Sequence, residues 1–300
     1  MKNGLLLVDK PAGITSHDVV DRIRKATGQR RIGHTGTLDP GATGLLVLCL
    51  GQATRLSEYL TDLDKVYEGV MRFGLETSSY DLDGEVVAER PVPPLEADAI
   101  QALCDRFVGD IQQIPPMMSA VKIGGKRLYK IARQGEVIER QPRPVKVFSY
   151  DVLSWTPPDA GICVRCGSGT YVRSLCHEVG LLLGCGAVLA SLRRTAVGRY
   201  NVADALPVEK LNGPEIVASR TIPMDEALDL PQVRVDRARE AIIASGGAVA
   251  VDAPSDGAAP VCEGLVQIKN SSGRLIALGT AMPSAMGVRV QPKRVFVGQD

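Results

Sequence analysis

Apolar residues in the first hundred positions form short continuous runs and stripes of helical spacing. Three stripes predict helices, the first of which can be capped by Thr15-Ser16. A polar, acidic loop is expected after Gly74. The predicted helices are residues 16–26, Ala53–Leu63 and Leu95–Phe107. The runs with the length of buried strands are Gly4–Val8, Leu45–Leu50 and Val66–Gly74.

The second half of the chain continues this mixture of strands and helices. Apolar runs predict strands at Val145–Leu153, Ile162–Cys166 and Val188–Thr195, and the spacing of apolar residues predicts a helix over Val172–Leu183. No internal repeat is present. Because strands and helices do not alternate regularly, the pattern favours an α+β fold over a doubly wound α/β fold.

A domain boundary is expected near Leu228–Pro231, where the pattern changes to short elements. Asp236 can cap a helix that ends at Ala244, and residues 246–260 are rich in Gly, Ala, Asp and Pro, which predicts a loop. Short strands are predicted on both sides of this loop: Val233–Val235, Leu265–Ile268, Leu275–Leu278 and Val288–Val297.

The composition places the chain among globular proteins. Its 300 residues and 32.0 kDa suit a larger and a smaller domain. With 45% apolar and 23% charged residues, it is not a disordered chain. The longest uncharged run, residues 40–54, is too short for a membrane helix, and Leu5–Val8 is too short for a signal peptide. We therefore expect a cytoplasmic protein.

Seven cysteines lie in apolar segments, an odd number that does not suggest a disulfide framework. Cys163 and Cys166 have C-x-x-C spacing, but no second pair of cysteines or histidines follows at zinc-finger distance. The three histidines are far apart in the sequence. We therefore expect buried free thiols and no metal site.

The net charge of +1 conceals a strong charge pattern. Residues 115–150 carry eight bases and two acids, whereas residues 76–110 carry nine acids and two bases. Residues 10–31 and 160–200 each have a net charge of +4. Because salt screens charges beyond about 8–10 Å, local clusters decide what binds. Three basic segments that lie together would form a phosphate-facing surface, and three that lie apart would be ordinary solvated faces.

The segment Gly33–Gly44 has the densest grouping of candidate functional residues. Its glycines permit unusual backbone angles, and Pro40 stiffens the turn directly after Asp39. The spacing fits neither a Walker A loop nor G-x-G-x-x-G. Taken alone, the motif predicts either a presented carboxylate or a tight turn in which Asp39 bonds to its own backbone.

Together with other blocks, this segment resembles the TruB family of tRNA pseudouridine synthases. The family resemblance implies an α+β pseudouridine synthase fold, with a mixed, mostly antiparallel sheet flanked by helices. It divides the chain into a catalytic domain at 1–228, which carries an inserted thumb at about 115–143, and a PUA-like RNA-binding domain at 229–300. The implied activity is isomerisation of uridine 55 in the T-loop of tRNA. The matching blocks are Val8–Ser16, Gly33–Gly51, Lys65–Tyr67, Pro115–Ser119, Gly125–Tyr129, Gly167–Leu175, Gly184–Ala187 and Leu192–Arg194.

The resemblance implies that three residues act on the substrate. Asp39 matches the catalytic aspartate, which would attack C1′ of the ribose or take a proton from the sugar, and the sequence leaves both routes open. Arg173 matches the cation that pairs with this carboxylate and keeps it ionised. Tyr67 matches the tyrosine that stacks on the flipped base and handles the C5 proton. Without the resemblance, Arg173 would be an ordinary helix-start arginine and Tyr67 a core residue.

Four further residues match substrate-binding positions of the family. Tyr171 and Leu192 correspond to residues that hold the uracil, and His34 to the histidine that fills the space left by the flipped base. Lys10 matches a lysine of the N-terminal motif, with an expected role in supporting the active-site loop. Without the resemblance, Leu192 would be a core residue and His34 a capping residue.

The resemblance also indicates how the basic segments would bind RNA. The thumb would close over the T-loop, and residues 10–31 and the Arg193-Arg194 region would contact phosphates. Met118 stands where the family often has an aromatic residue. The expected partner is tRNA, bound by a monomer with no cofactor, no metal, no membrane contact and no obligate protein partner. The expected backbone contacts are Lys122, Lys126, Arg127, Lys130, Arg133 and Arg193.

Two other classes of function remain open at this point. The first is a tRNA-binding or folding-assistance module whose catalysis is incidental. The second is a retaining glycosidase or nucleosidase, which needs a second carboxylate close to the first. The motif around Asp39 contains no second acid, so this class is the least favoured.

Overall fold

The computed structural model describes residues 2–132, 134–136, 138–251, 263–284 and 287–296. The helices are α1 Ser16–Thr27, α2 Ser57–Thr61, α3 Ala97–Asp105, α4 Leu128–Ala132, α5 Val172–Leu183, α6 Pro214–Ser219 and α7 Arg237–Ala244. The strands are β1 Gly4–Lys10, β2 Ile32–His34, β3 Thr43–Leu50, β4 Lys65–Phe73, β5 Leu75–Thr77, β6 Val86–Glu89, β7 Gly109–Gln113, β8 Lys122–Ile123, β9 Lys126–Arg127, β10 Arg143–Thr156, β11 Asp159–Cys166, β12 Ala187–Val197, β13 Tyr200–Asn201, β14 Leu206–Pro207, β15 Ile222–Pro223, β16 Gln232–Arg234, β17 Val249–Val251, β18 Gly264–Lys269, β19 Leu275–Ser284 and β20 Gly287–Val295. Among these described residues, no helix is both long and apolar enough to cross a membrane.

A large mixed sheet is the main structural element of the residues before 228. Its strands lie in the order β14-β1-β3-β12-β4-β11-β10-β7, and β2, β13 and β15 pair at its side. Strand β12 is parallel to β3, and β1 is parallel to β14, whereas the other neighbours are antiparallel. The predicted α+β fold with a mostly antiparallel sheet is therefore confirmed.

The two faces of this sheet are buried by different elements. In β1, Leu6 and Val8 pack against the apolar face of α1, and Leu5 and Leu7 lie in a cluster on the opposite face. Helix α1 begins where the sequence predicts, because Thr15 forms a capping box with Asp18. Helices α3 and α5 cover the β4–β11–β10 half of the sheet. The strands at the centre of the sheet therefore have fixed positions, and the loops at their ends are built on a rigid base.

The basic segment at residues 114–142 connects two neighbouring strands, β7 and β10, and contains its own small core. Met117, Leu128 and Ile131 form a hydrophobic cluster separate from those of the sheet. The segment is built from the β8–β9 hairpin and α4. A connection of this length between adjacent antiparallel strands has the form of an insertion.

The residues after 231 form a second sheet, in the order β16-β18-β19-β20-β17, with α7 packed on it. Two arginines contribute to its contact with the first sheet. Arg55 Nη1 donates a hydrogen bond to the Val295 carbonyl at 2.5 Å, and Arg294 Nε bonds to Glu58 Oε1 at 2.8 Å. Phe296 lies in the same hydrophobic cluster as residues of the first sheet. The two parts therefore share buried apolar surface.

Two segments predicted as loops contain strands. The acidic segment after Gly74 includes the β5–β6 hairpin, and residues 246–260 include β17, while 252–260 lie outside the described residues. The predicted helix Ala53–Leu63 is a 3₁₀ turn over Gly51–Leu56 followed by the short α2. The remaining predicted elements are confirmed, most of them with shifted ends, and α5 spans Val172–Leu183 as predicted.

Candidate active site

Asp39 stands in a tight turn between β2 and β3 that is fixed through its backbone. The carbonyl of Pro40 accepts hydrogen bonds from the Gly13 amide at 2.9 Å and from Lys10 Nζ at 3.2 Å. The Ala42 amide donates to the Asp39 carbonyl at 3.1 Å. The Asp39 side chain remains 49% exposed. The turn therefore presents this carboxylate instead of using it as a structural cap.

Arg173, in the first turn of α5, joins Asp39 to a second carboxylate. Its Nη2 lies 2.9 Å from Asp39 Oδ2, and its Nη1 lies 3.3 Å from Asp81 Oδ2. The carbonyls of Ser79 and Met118 each accept a further hydrogen bond at 2.9 Å. The Arg173 side chain is only 5% exposed. Four partners from three segments therefore fix the guanidinium and, through it, the position of the Asp39 carboxylate.

A cavity of about 260 Å³ opens beside this ion pair. Asp39 and Arg173 line it together with three further residues: Tyr67 of β4, Tyr171, which directly precedes α5, and Leu192 of β12. Burial raises the pKa of both tyrosines, so both phenols are neutral near pH 7. The cavity is therefore surrounded by a carboxylate, a guanidinium, two aromatic rings and a leucine. This lining suits a flat, partly polar ring attached to a sugar.

Gln113 holds the loop that carries Tyr171. Its Oε1 accepts a hydrogen bond from the Tyr171 amide at 2.8 Å, and its Nε2 donates to the Tyr171 carbonyl at 3.1 Å. The Gln113 side chain is buried. This amide clamp fixes the residue that precedes α5, and therefore the ring of Tyr171 and the start of the helix that carries Arg173.

Two buried lysines support the walls of the cavity through backbone carbonyls. Lys10 Nζ donates to the carbonyls of Pro11, Ile14 and Pro40, at 2.9, 2.8 and 3.2 Å. Burial lowers the pKa of Lys10 to about 8, an effect that the Asp39 carboxylate opposes. Lys65 donates to two carbonyls at the end of α2, and burial lowers its pKa to about 8. Both ammonium groups are charged at pH 7.

Arg194 contributes a third buried cation, on strand β12. It is 2% exposed and is the largest fully buried side chain described. Its Nε donates to the Leu45 carbonyl at 2.7 Å, and its Nη2 donates to the Gly36 carbonyl at 3.1 Å. Arg194 is paired with Tyr67 across β4 and β12, and its charge partly offsets the rise in the pKa of the Tyr67 phenol that burial causes. Arg194 lines the cavity.

The sequences of known proteins are similar to most of this chain. Residues 24–172 match the TruB family pseudouridylate synthase N-terminal domain, and residues 173–229 match the tRNA pseudouridylate synthase B C-terminal domain. The tRNA pseudouridine synthase B of Pseudomonas aeruginosa is 41% identical and covers 98% of this chain and 96% of its own length. That of Opitutus terrae is 50% identical over 75% of this chain and 94% of its own. The chain belongs to the TruB family.

Solved structures with the same fold support this membership. A structure of an H/ACA RNP bound to a substrate RNA containing 2′-deoxyuridine aligns with a TM-score of 0.72 and 27% identity, and covers 99% of this chain and 86% of that chain. A Cbf5-Nop10-Gar1 complex aligns with a TM-score of 0.71 and 28% identity, and covers 98% of this chain and 85% of that chain.

The structure brings together five of the seven residues that the TruB resemblance assigns to catalysis and substrate binding. Asp39, Tyr67, Tyr171, Arg173 and Leu192 all line the cavity. The other two lie behind its walls. His34 is in β2, where burial lowers the pKa of its imidazole. Lys10 is completely buried and does not line the cavity. Its ammonium group donates to three backbone carbonyls and so supports the turn that carries Asp39.

The six predicted RNA contacts differ in what the structure shows of them. Lys122, Lys126 and Lys130 are exposed on the inserted segment. Arg127 lies in β9, and Arg133 lies outside the described residues. Arg193 bonds to both carboxylate oxygens of Asp9, at 3.1 and 2.8 Å, and remains partly exposed.

The expectation that the Arg193-Arg194 region as a whole contacts phosphates is wrong for Arg194. Successive residues of a strand face opposite sides of a sheet. Arg193 reaches Asp9, whereas Arg194 turns inward and is buried. Applied to two adjacent arginines in a predicted strand, this alternation would have indicated one buried cation.

Asp81 and Gln113 are site residues that the sequence reasoning did not identify, and Arg194 is one that it assigned to phosphate contacts instead of the cavity. Asp81 lies in the acidic segment after Gly74, where a charge among many acids gives no local signal. Gln113 is one polar residue at a strand end. For these two, the contacts with Arg173 and Tyr171 arise from parts of the chain that are 92 and 58 positions away in sequence, so tertiary structure alone shows them.

Proposed function

We propose that this chain is a tRNA pseudouridine synthase that isomerises uridine 55 in the T-loop of tRNA. The observation on which this proposal rests is the Asp39–Arg173 ion pair, which lies on the wall of a cavity also lined by Tyr67, in a member of the TruB family. The reaction takes place in the cytoplasm, where tRNA is processed. No second carboxylate lines the cavity among the described residues, which disfavours a retaining glycosidase.

The substrate uracil must leave the stacked loop to reach the cavity. Extruding a base costs a few kcal/mol, and stacking on an aromatic ring returns about 1–3 kcal/mol. Tyr67 and Tyr171 offer the rings inside the cavity. The base therefore exchanges its neighbours in the loop for protein side chains, and loop shape, more than base sequence, determines which RNA fits.

The isomerisation breaks the C1′–N1 bond, turns the uracil and joins C1′ to C5. The electron pair of the broken bond leaves with N1. Asp39 then stabilises the sugar in one of two ways: it bonds to C1′, a bond that breaks when C5 attacks, or it takes the proton from C2′ and returns it to C2′ as C5 attacks. Arg173 holds the carboxylate in position before either step. C5 attacks C1′ and then loses its proton to water through Tyr67, whose neutral phenol gives up its own proton as it takes the one from C5, and N1 gains a proton. Substrate and product contain the same atoms, so the reaction consumes no co-substrate.

RNA binding is assigned to three regions. The catalytic domain covers residues 1–228, the thumb within it covers about 115–143, and residues 229–300 form a PUA-like RNA-binding domain. The exposed Lys122, Lys126 and Lys130 place three positive charges on the thumb. The thumb also reaches the reaction centre, because the Met118 carbonyl bonds to Arg173. Its closure over the T-loop is therefore coupled to the position of the catalytic ion pair.

The direct test is incubation of the purified protein with an unmodified tRNA transcript, followed by mapping of pseudouridine by mass spectrometry. We expect a pseudouridine at position 55 and none elsewhere in the transcript. Asp39→Asn should lower the single-turnover rate by at least about 10³-fold without a change in tRNA affinity. A fully active Asp39→Asn protein would overturn the assigned chemistry.

Experiments in cells that lack this chain distinguish a catalytic function from a function in RNA binding alone. Their tRNA should contain unmodified uridine at position 55, and intact modification would overturn the assignment. The alternative, a binding or folding-assistance module, predicts that Asp39→Asn restores growth while charge reversals in the thumb do not.

A further inference from the structure

Arg194 is a buried cation without a visible counter-ion. No carboxylate among the described residues lies within ion-pair distance of its guanidinium. Its guanidinium donates to the carbonyls of Leu45 and Gly36 and lies close to the phenol of Tyr67, and all three groups are neutral. Burying an uncompensated charge is costly. A charge retained at such a cost points to an anion that forms in the cavity during the reaction.

The Gly33–Gly44 motif makes room for this side chain. A Cβ on Gly36 would stand 3.4 Å from Arg194 Nη1. Gly44 has a φ of +101°, and a Cβ there would lie 2.3 Å from the Arg194 carbonyl oxygen. The motif that presents Asp39 therefore also holds Arg194 in place. One loop fixes both charges of the cavity, the anion at its opening and the cation at its base.

The geometry places Arg194 on the uracil side of the reaction centre. Asp39 has to reach the ribose, and half of its side chain is exposed at the opening of the cavity. Arg194 lines the same cavity but is 2% exposed, on strand β12 beside Tyr67 and Leu192. A nucleotide that enters with its sugar at Asp39 therefore directs its base towards Arg194.

We infer that Arg194 stabilises the negative charge of the uracil ring after its bond to the sugar breaks, and that it holds the Tyr67 phenol against that ring. This inference rests on the proposed function. When the C1′–N1 bond breaks, both electrons stay on the uracil, whose anion is spread over N1 and its carbonyl oxygens. A guanidinium in a dry cavity stabilises such a charge far more than water-exposed groups do. The charge disappears when C5 bonds to C1′ and N1 is protonated.

The other cations of the site are less suited to this task. Arg173 is occupied by Asp39 and Asp81. Lys65 lines the cavity, but its ammonium donates to the carbonyls of Thr61 and Leu63 at the end of α2. Lys10 does not line the cavity. Lys65 and Arg194 both line the cavity without a carboxylate partner, and Arg194 is the one of the two that lies on β12 with Leu192 and is paired with Tyr67 across β4 and β12.

The test compares two leaving groups in the same tRNA. Transcripts carry uridine or 5-fluorouridine at the target position, and the loss of the starting nucleoside is measured under single-turnover conditions with saturating enzyme. Fluorine withdraws electrons, so 5-fluorouracil is a better leaving group and depends less on a stabilising cation. The variants are Arg194→Met, which keeps length without charge, and Arg194→Lys, which keeps the charge. Arg72→Met is the matched control, because it removes a guanidinium from β4 away from the cavity.

With uridine, Arg194→Met should lower the rate by about 10²- to 10³-fold, the loss seen when one buried stabilising donor is removed. With 5-fluorouridine, the loss should be at least tenfold smaller. Arg194→Lys should recover at least tenfold with uridine, tRNA affinity should stay within threefold in both variants, and Arg72→Met should match the unsubstituted protein. Circular dichroism checks folding. If Arg194→Met does not fold, the rate lost by Arg194→Lys must still be smaller with 5-fluorouridine than with uridine.

Equal losses with the two RNAs would show that Arg194 has a purely structural role and would overturn this inference while leaving the proposed function intact. An unsubstituted protein that forms no pseudouridine from the uridine transcript would overturn the proposed function, and this inference with it.

Discussion

At the scale of single residues, Asp81 extends the Asp39–Arg173 ion pair to a network of three side chains. Its carboxylate faces the same guanidinium as Asp39, from the turn after β5. We expect Asp81→Asn to lower the single-turnover rate of pseudouridine formation by about 10- to 100-fold, because a hydrogen bond to a charged group contributes about 1.5–3 kcal/mol. The tRNA dissociation constant should not change, because Asp81 lies behind Arg173.

The neighbouring Asp83 provides the control for this prediction. It stands in the same turn but is exposed, and its backbone amide, not its side chain, bonds to Asp81. Asp83→Asn should therefore retain full activity. If both substitutions reduced the rate equally, the general negative charge of the turn would matter and the specific bond to Arg173 would not.

The residues of the site differ in how far the sequence can reveal them. Asp39 and Arg173 lie in motifs, so resemblance to the TruB family places them. Asp81 and Gln113 act through long-range contacts that no local pattern encodes. Arg194 falls between these cases, because strand alternation indicates that one of two adjacent arginines is buried, although it does not indicate which one.

At the scale of elements, the inserted segment is a basic arm with a small core of its own. The exposed Lys122, Lys126 and Lys130 lie on β8, β9 and α4. Reversal of all three to Glu should weaken tRNA binding and reduce its salt dependence, because each lost phosphate contact lowers the log–log slope by about 0.7–0.9. We expect a slope reduced by about 2 in filter-binding titrations between 50 and 200 mM salt.

Lys210→Glu is the control for the charge of the thumb. This lysine is exposed on the turn before α6, in another part of the chain. Its reversal should leave both the affinity and the slope nearly unchanged. An equal loss from Lys210→Glu would mean that the total charge attracts the RNA and that the thumb makes no specific contribution.

The elements themselves are predictable where burial follows a regular period. Helix α5 has its predicted ends, Val172 and Leu183, because its apolar stripe packs on the sheet and Gly184 ends it in a left-handed conformation. The β5–β6 hairpin was missed because it forms a two-stranded sheet of its own, and β6 is mostly exposed. An exposed strand has no alternating apolar face, so its pattern resembles that of a loop.

At the scale of the whole molecule, five of the six described cysteines are buried, as expected from their apolar surroundings, whereas Cys163 is half-buried and Cys262 lies outside the described residues. Burial raises the pKa of Cys49, Cys104 and Cys176 to about 12 and that of Cys166 to about 11. Because the thiolate is the reactive form, these four should stay unmodified by iodoacetamide in the native protein at pH 8 and react fully in denaturant. Peptide mapping by mass spectrometry measures this, and rapid native labelling at Cys104 or Cys176 would contradict the packing of α3 and α5.

The two sheets should unfold together, because their contact is part of one hydrophobic cluster. Phe296, directly after β20, is 7% exposed and lies in the same hydrophobic cluster as Leu5 of β1 and Leu56 of the 3₁₀ turn that follows β3. Phe296→Ala should lower the free energy of unfolding by about 3 kcal/mol, because it leaves a cavity in this shared core. Differential scanning calorimetry should show one transition for the native protein and an earlier melting of the C-terminal sheet in the variant.

Met282→Ala serves as the control, because Met282 is an exposed apolar residue of β19 in the same sheet and its loss should change the transition little. Two separate transitions in the native protein would mean that the sheets fold independently. The docked position of the C-terminal sheet would then be an equilibrium that RNA binding could shift. If the sheets unfold as one unit, the C-terminal sheet is held in a fixed position relative to Asp39, and the tRNA must fit a rigid distance between the cavity and that sheet.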